Sequence, residues 1–88
     1  MTTAMGIIDI AIDRDGSKWF RAGSGILRFD GSRWTIYRPN LPVSVGNSIL
    51  IDPEGVKWLL AWAPQQFGFV RFDGERWIFY PSPYPTLA

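Results

Sequence analysis

One stretch of this chain is written twice. IAIDRDGSKWFRAGSGILRFDGSRWTIY at 10–37 aligns with ILIDPEGVKWLLAWAPQQFGFVRFDGERWIFY at 49–80 once four extra residues are allowed in the second copy. Fifteen of the 28 aligned positions are identical, among them Ile10/Ile49, Asp13/Asp52, Gly16/Gly55, Lys18/Lys57, Trp19/Trp58, Gly25/Gly68, Arg28/Arg71, Phe29/Phe72, Asp30/Asp73, Gly31/Gly74, Trp34/Trp77 and Tyr37/Tyr80. Self-similarity of this kind means two copies of one supersecondary unit, neither able to bury its apolar faces alone.

Each unit reads as four short strands. In the first, Ile8, Ile10 and Ile12 alternate with Asp9, Ala11 and Asp13, the period-2 pattern of a half-buried strand. Its copy is expected over Ser48 to Asp52. Acidic-glycine pairs follow at Asp15-Gly16 and Glu54-Gly55, and again at Asp30-Gly31 and Asp73-Gly74, where tight hairpins need a residue that tolerates positive φ. Second strands are expected at Lys18 to Ala22 and Lys57 to Ala61, third strands at Ile26 to Asp30 and Phe69 to Asp73. Fourth strands, rich in Trp, Ile, Phe and Tyr, are expected at Arg33 to Tyr37 and Arg76 to Tyr80. No apolar series keeps helical spacing for three turns. The reading is an all-β meander, with unit one at about 5–38, unit two at about 45–81 and a linker-like tail at 82–88.

A period near 40 residues with four hairpin-linked strands is that of a β-propeller blade. Asp13-Arg14-Asp15-Gly16-Ser17-Lys18-Trp19, then Gly25-Ile26-Leu27-Arg28-Phe29-Asp30-Gly31, then Trp34-Thr35-Ile36-Tyr37 resemble the D-x-D-G-x-x-W … G-L-x-R-F-D-G … W-x-x-Y blade of the two-component-regulator propeller repeats. The second unit is similar from Asp52 to Tyr80, with Pro53-Glu54 replacing the polar-Asp pair. Where that family often has Gly-Thr two residues after the tryptophan, this chain has Arg21-Ala22 and Leu60-Ala61. The resemblance implies two four-stranded antiparallel blades. In that family the propeller is typically the extracytoplasmic sensing part of large bacterial signalling proteins, whose kinase, DNA-binding and membrane-spanning parts have no counterpart here.

Propellers close with about four to eight blades, so two blades imply further ones. The sequence Arg38-Pro39-Asn40-Leu41-Pro42 after the first unit is echoed by Pro81-Ser82-Pro83-Tyr84-Pro85 after the second, as if the chain stops where another blade begins. The expectation is a homo-oligomer closed by heterologous contacts: a homotrimer with six blades first, a homotetramer with eight next. Strand exchange through Met1 to Met5 is left open.

Composition narrows the chemistry. Without histidine or cysteine, Ser-His-Asp and Cys-His catalysis, disulfides and ordinary zinc sites are excluded within one chain. No cofactor, metal or catalytic residue is expected. A net charge of +1 with interleaved signs argues against a nucleic-acid footprint. No apolar run approaches the roughly 18 residues of a membrane span, and the first residues do not read as a signal peptide. The compartment is not legible.

Aromatic content of 16%, including five tryptophans, calls for a core. Trp19, Trp34, Trp58, Trp77, Phe29, Phe72, Tyr37 and Tyr80 occupy matched positions and are read as that core. Asp13-Arg14-Asp15-Gly16 invites comparison with a calcium loop but lacks its later ligands and closing Glu, so a turn is the better account. Arg28/Arg71 and Arg33/Arg76 are read as solvated rather than as an anion site. The departure from symmetry is "AWAPQQFG" at 61–68 against "AGSG" at 22–25. Read as a long rim loop over 62–67, it carries the unpaired Trp62, with Gln65, Gln66 and Phe67. Two readings stand: an aromatic platform with neutral amides for a carbohydrate or a peptide, or a plug between subunits. The functional expectation is a non-catalytic, self-assembling binding or interaction scaffold, set against a purely structural or engineered assembly; a propeller lyase or hydrolase ranks last.

Overall fold

The computed structural model describes residues 6–84. Met1 to Met5 and the end of the tail, 85–88, lie outside the described residues, and with them any strand exchange through the first five. All regular structure described is strand. Unit one supplies β1 (Ile7–Ile12), β2 (Lys18–Ala22), β3 (Gly25–Phe29) and β4 (Trp34–Tyr37); unit two supplies β5 (Ser44–Val45), β6 (Leu50–Ile51), β7 (Lys57–Ala63), β8 (Gln66–Phe72) and β9 (Trp77–Pro81). They form two antiparallel sheets, β1-β2-β3-β4 and β5-β7-β8-β9, with β6 also paired to β7.

The hairpins fall where the acidic-glycine pairs stand. Asp13 and Asp52 accept from Gly16 N and Gly55 N at 2.9 Å each, and both glycines have φ of 87°. An L side chain is strained there, which fixes glycine in both copies. Gly25 and Gly68 have a different reason. A Cβ on either would collide with the carbonyl oxygen of Tyr37 or Tyr80 on the adjacent strand.

The core lies between the sheets. Let the front of each sheet be the side bearing Trp19 in unit one and Trp58 in unit two. The front of the first sheet packs on the back of the second. Trp19 and Ile26 meet Ile49, Leu59, Val70 and Phe72, all at most 3% exposed. Complete burial of side chains such as Ile26, Val70 and Phe72 contributes about 1.5–3 kcal/mol each. Aromatic rings lock the contact: Trp19 stacks on Tyr37 at 5.6 Å, Tyr37 lies 5.0 Å from Phe72, and Phe72 stacks on Trp77 at 4.5 Å.

Three expectations need correction. First, Ile8, Ile10 and Ile12 are each more than half exposed, and the opposite side of β1, with Asp9, Ala11 and Asp13, faces unit two. Ile10 and Ile12 lie on the back of the first sheet, which has no sheet behind it among the described residues. Second, the first strand of unit two is not continuous over Ser48 to Asp52. Leu50–Ile51 pairs with Lys57 and Trp58, while Ser44–Val45 pairs with Trp62 and Ala61, and Gly46 to Ile49 bulge between them. Third, residues 62–67 are not a loop.

Candidate functional site

The four extra residues lengthen the β7–β8 hairpin by two on each arm. Ala61 pairs with Gly68, Trp62 with Phe67 and Ala63 with Gln66, leaving only Pro64 and Gln65 as the turn. Gln65 has φ of 63° after a proline, the sign pattern of a type II turn, which favours glycine at that position. Adding two residues per arm preserves strand parity, so every side chain keeps its face.

Parity also separates the expected ligand residues. Trp62 and Phe67 form a cross-strand pair on the front face, continuing Leu60 and Phe69. Gln66, paired with Ala63, projects to the other face, and Gln65 is at the tip. All four are exposed, but they do not converge as an aromatic-plus-amide platform. Trp62 and Phe67 instead border a groove of about 670 Å³ with Leu60, Ser82 and Tyr84, where the Ser82 hydroxyl oxygen accepts from Tyr84 N at 3.0 Å. On its other side Trp62 borders a shallower groove of about 420 Å³ with Leu41, Val43 and Pro64.

The contact between units is built from polar groups as well as rings. Lys57 Nζ of unit two lies 2.7 Å from Asp13 Oδ2 of unit one, with both side chains under a tenth exposed. The same ammonium donates to the Gly55 carbonyl at 2.7 Å and stands 3.9 Å over the Trp19 ring. Arg14 Nη1 donates to the Pro53 carbonyl at 2.9 Å, and Ile49 N donates to Asp9 Oδ2 at 2.9 Å. Arg21, only 4% exposed, reaches across to the Gly46 and Val45 carbonyls and donates to those of Gly23 and Gly25 in its own turn. Burial draws the Arg21 pKa below its ordinary value.

Repeat equivalence shows what is bare elsewhere. On the front of the second sheet, Leu60 and Phe69 hold the places of Arg21 and Ile26; they are 68% and 41% exposed, against 4% and 0%. On the back of the first sheet, Ile10 holds the place of Ile49 and is 53% exposed, against 3%. The rings there are already arranged: Phe29 and Trp34 lie 4.7 Å apart, as Phe72 and Trp77 lie 4.5 Å apart inside. On the other bare face Phe69 lies 5.7 Å from Trp58 and stacks on Tyr80 at 5.2 Å.

The repeat core therefore divides. Trp19 and Phe72 are buried and Tyr37 and Trp77 partly so, all at the contact between units. Trp34 is exposed, Tyr80 is exposed, and Phe29 and Trp58 are only half-buried, because they lie on the two outward faces.

The remaining charged candidates behave as surface groups. Arg28 pairs with Asp15 at 3.5 Å and Asp30 at 3.7 Å, Arg71 with Asp73 at 3.4 Å, and Arg33 and Arg76 are exposed. Backbone amides of Ser32 and Arg33 hold the Asp30 carboxyl below the usual range, and those of Arg76 and Glu75 do the same for Asp73. Asp15 is lowered chiefly by the Ser17 hydroxyl. Asp52 is lowered first by the Trp58 indole N–H, 2.8 Å from Oδ2, with the Val56 and Glu54 amides on Oδ1 adding to it against partial desolvation. Among the described residues no cluster of three or more His, Cys, Asp or Glu is placed to hold a metal ion.

Sequence reasoning missed Arg21, Lys57 and Asp13 as a polar frame across the contact. The signal was present in the identity of Asp13/Asp52 and Lys18/Lys57: a carboxylate and an ammonium kept in both units suggest one reaching from each unit to the next. Comparison with protein-family models, with curated proteins and with solved structures returns no match.

Proposed function

We propose that the chain is a two-blade module of a β-propeller that assembles with further copies of itself into a closed ring, a non-catalytic scaffold. One observation carries this reading. The contact inside the chain joins the front of one unit to the back of the next, and the two faces left bare are the other members of that same pair. A front face and a back face at opposite ends of one molecule make a heterologous interface, which closes into a ring when the rotation per copy divides a full turn. The bare faces carry Ile10, Ile12, Trp34, Leu60, Phe69 and Tyr80. Exposed apolar side chains grouped on a face in this way mark interaction surfaces. Three copies would give six blades and four would give eight, with the trimer the first expectation.

Self-assembly has more support than a carbohydrate or peptide platform at 62–67, because Gln66 faces away from Trp62 and Phe67. Electron microscopy of the purified chain tests the proposal. The expected images are discs with cyclic symmetry, six or eight radial blades and a central channel. Isolated chains or open-ended filaments would overturn the closed-ring reading.

A further inference from the structure

We infer that the contact between copies is a modified version of the one inside the chain, retaining its ion pair and replacing its arginine with an apolar clamp. This rests on the self-assembly proposed above and specifies the chemistry of that contact.

The ion pair follows from Asp52 and Lys18. Inside the chain, Asp13 accepts Lys57, and the equivalent residues of the outward faces are Asp52 and Lys18. Lys18 is exposed and makes no ion pair among the described residues. A carboxylate offers about four acceptor positions. On Asp52 the amides of Glu54 and Val56 and the Trp58 indole take three, which leaves one on the side of Oδ2. The Lys18 ammonium of the next copy takes that position and lies over Trp58, as Lys57 lies over Trp19.

The clamp follows from Leu60. Inside, Arg21 fills the end of the contact by donating to the Val45 and Gly46 carbonyls. Leu60 cannot donate, and the lengthened hairpin sets Trp62 and Phe67 beside it around the 670 Å³ groove. The residue of unit one that pairs as Val45 does is Ile7: Ile7 lies opposite Ala22 as Val45 lies opposite Ala61. Ile7 is 53% exposed. An apolar side chain thus arrives where an apolar groove has replaced the arginine. The difference gives the chain two distinguishable junctions, one closed at this end by an arginine within the chain and one closed by an apolar clamp between copies.

The test is the assembly concentration of the full chain and its variants, followed by light scattering with circular dichroism as a check on folding. Lys18→Glu and Asp52→Lys, each alone, should raise the concentration needed for assembly more than tenfold. The double variant Lys18→Glu/Asp52→Lys should restore it, and recovery in the double variant separates a lost pair from a failure to fold. Trp62→Ala should also weaken assembly at least tenfold, and Gln66→Ala should not. If the unaltered chain assembles but the charge reversals and Trp62→Ala leave it unchanged, or the double variant does not recover, the contact between copies does not use this ion pair and clamp: this inference fails while self-assembly through the two bare faces stands. If the unaltered chain does not assemble, both fail.

Discussion

Lys57 and Asp13 meet 2.7 Å apart across the boundary between the two units, with the ammonium 3.9 Å from the centre of the Trp19 ring. The pair is nearly dehydrated, so its worth lies in matching two charges that would be costly to bury singly. Lys57→Met should destabilise the chain by about 3–5 kcal/mol, because Asp13 is then left without a counter-charge. Asp13→Leu/Lys57→Met should recover most of that loss. Urea unfolding at one fixed chain concentration measures both, since assembly would make stability depend on concentration.

Equivalent residues should respond differently according to their neighbour. Ile49→Ala removes a packed side chain from between the sheets and should cost about 2–5 kcal/mol. Ile10→Ala, at the matched outward position, should change the stability of the unassembled chain by no more than about 0.5 kcal/mol. Ile10→Asp should keep the β-sheet signal in circular dichroism while preventing assembly. Equal losses at the two positions would mean that the exposed face is not a docking face.

The turn of the long hairpin holds a glutamine in the left-handed region at φ of 63°. That conformation costs an L residue about 1–2 kcal/mol, and glycine would remove the cost while adding about 0.5–1 kcal/mol of chain entropy to lose. Gln65→Gly should therefore raise stability by up to about 1.5 kcal/mol, which is up to roughly 10 degrees in melting temperature for a chain of this size. Its assembly should be unchanged.

The strands and hairpin turns were legible because alternation and acidic-glycine pairs are local signals. Which face would be buried was not. Unit one is apolar on its back through Ile10, Phe20, Leu27 and Ile36 and on its front through Trp19, Ile26 and Tyr37, so periodicity cannot choose between them; only the presence of unit two does. The short strand Ser44–Val45 is hidden by the prolines before it and Gly46 after it. The hairpin at 62–67 looked like a loop because proline and two glutamines are turn-like residues, yet the order Trp-Ala-Pro-Gln-Gln-Phe already has the symmetry of two arms about a two-residue turn. The polar frame of Arg21, Asp13 and Lys57 depends on contacts about 25 to 44 residues apart, beyond the reach of any local pattern.

Acid should weaken the fold through its turn carboxylates. Asp15, Asp30, Asp52 and Asp73 all have folded pKa values below the ordinary carboxylate value, each held there by hydrogen bonds to the ionised form. Between the folded and unfolded values the unfolded chain binds more protons, so stability rises with pH in that interval. The contribution should be complete above the unfolded value of about 4 and be lost as pH falls through the lower folded values. Unfolding midpoints measured from neutral pH downward should be flat to about pH 5 on this account and then drop. Asp30→Asn and Asp73→Asn should each make the drop shallower.

The central claim is that the contact inside the chain is repeated between chains. Its most direct test is the solution mass of the unaltered chain by sedimentation equilibrium over a wide concentration range. A closed ring predicts one species of about 30 kDa for three copies of the 10.0-kDa chain, or about 40 kDa for four, without larger open-ended species. A single species at the 10.0 kDa of one chain across that range would contradict it.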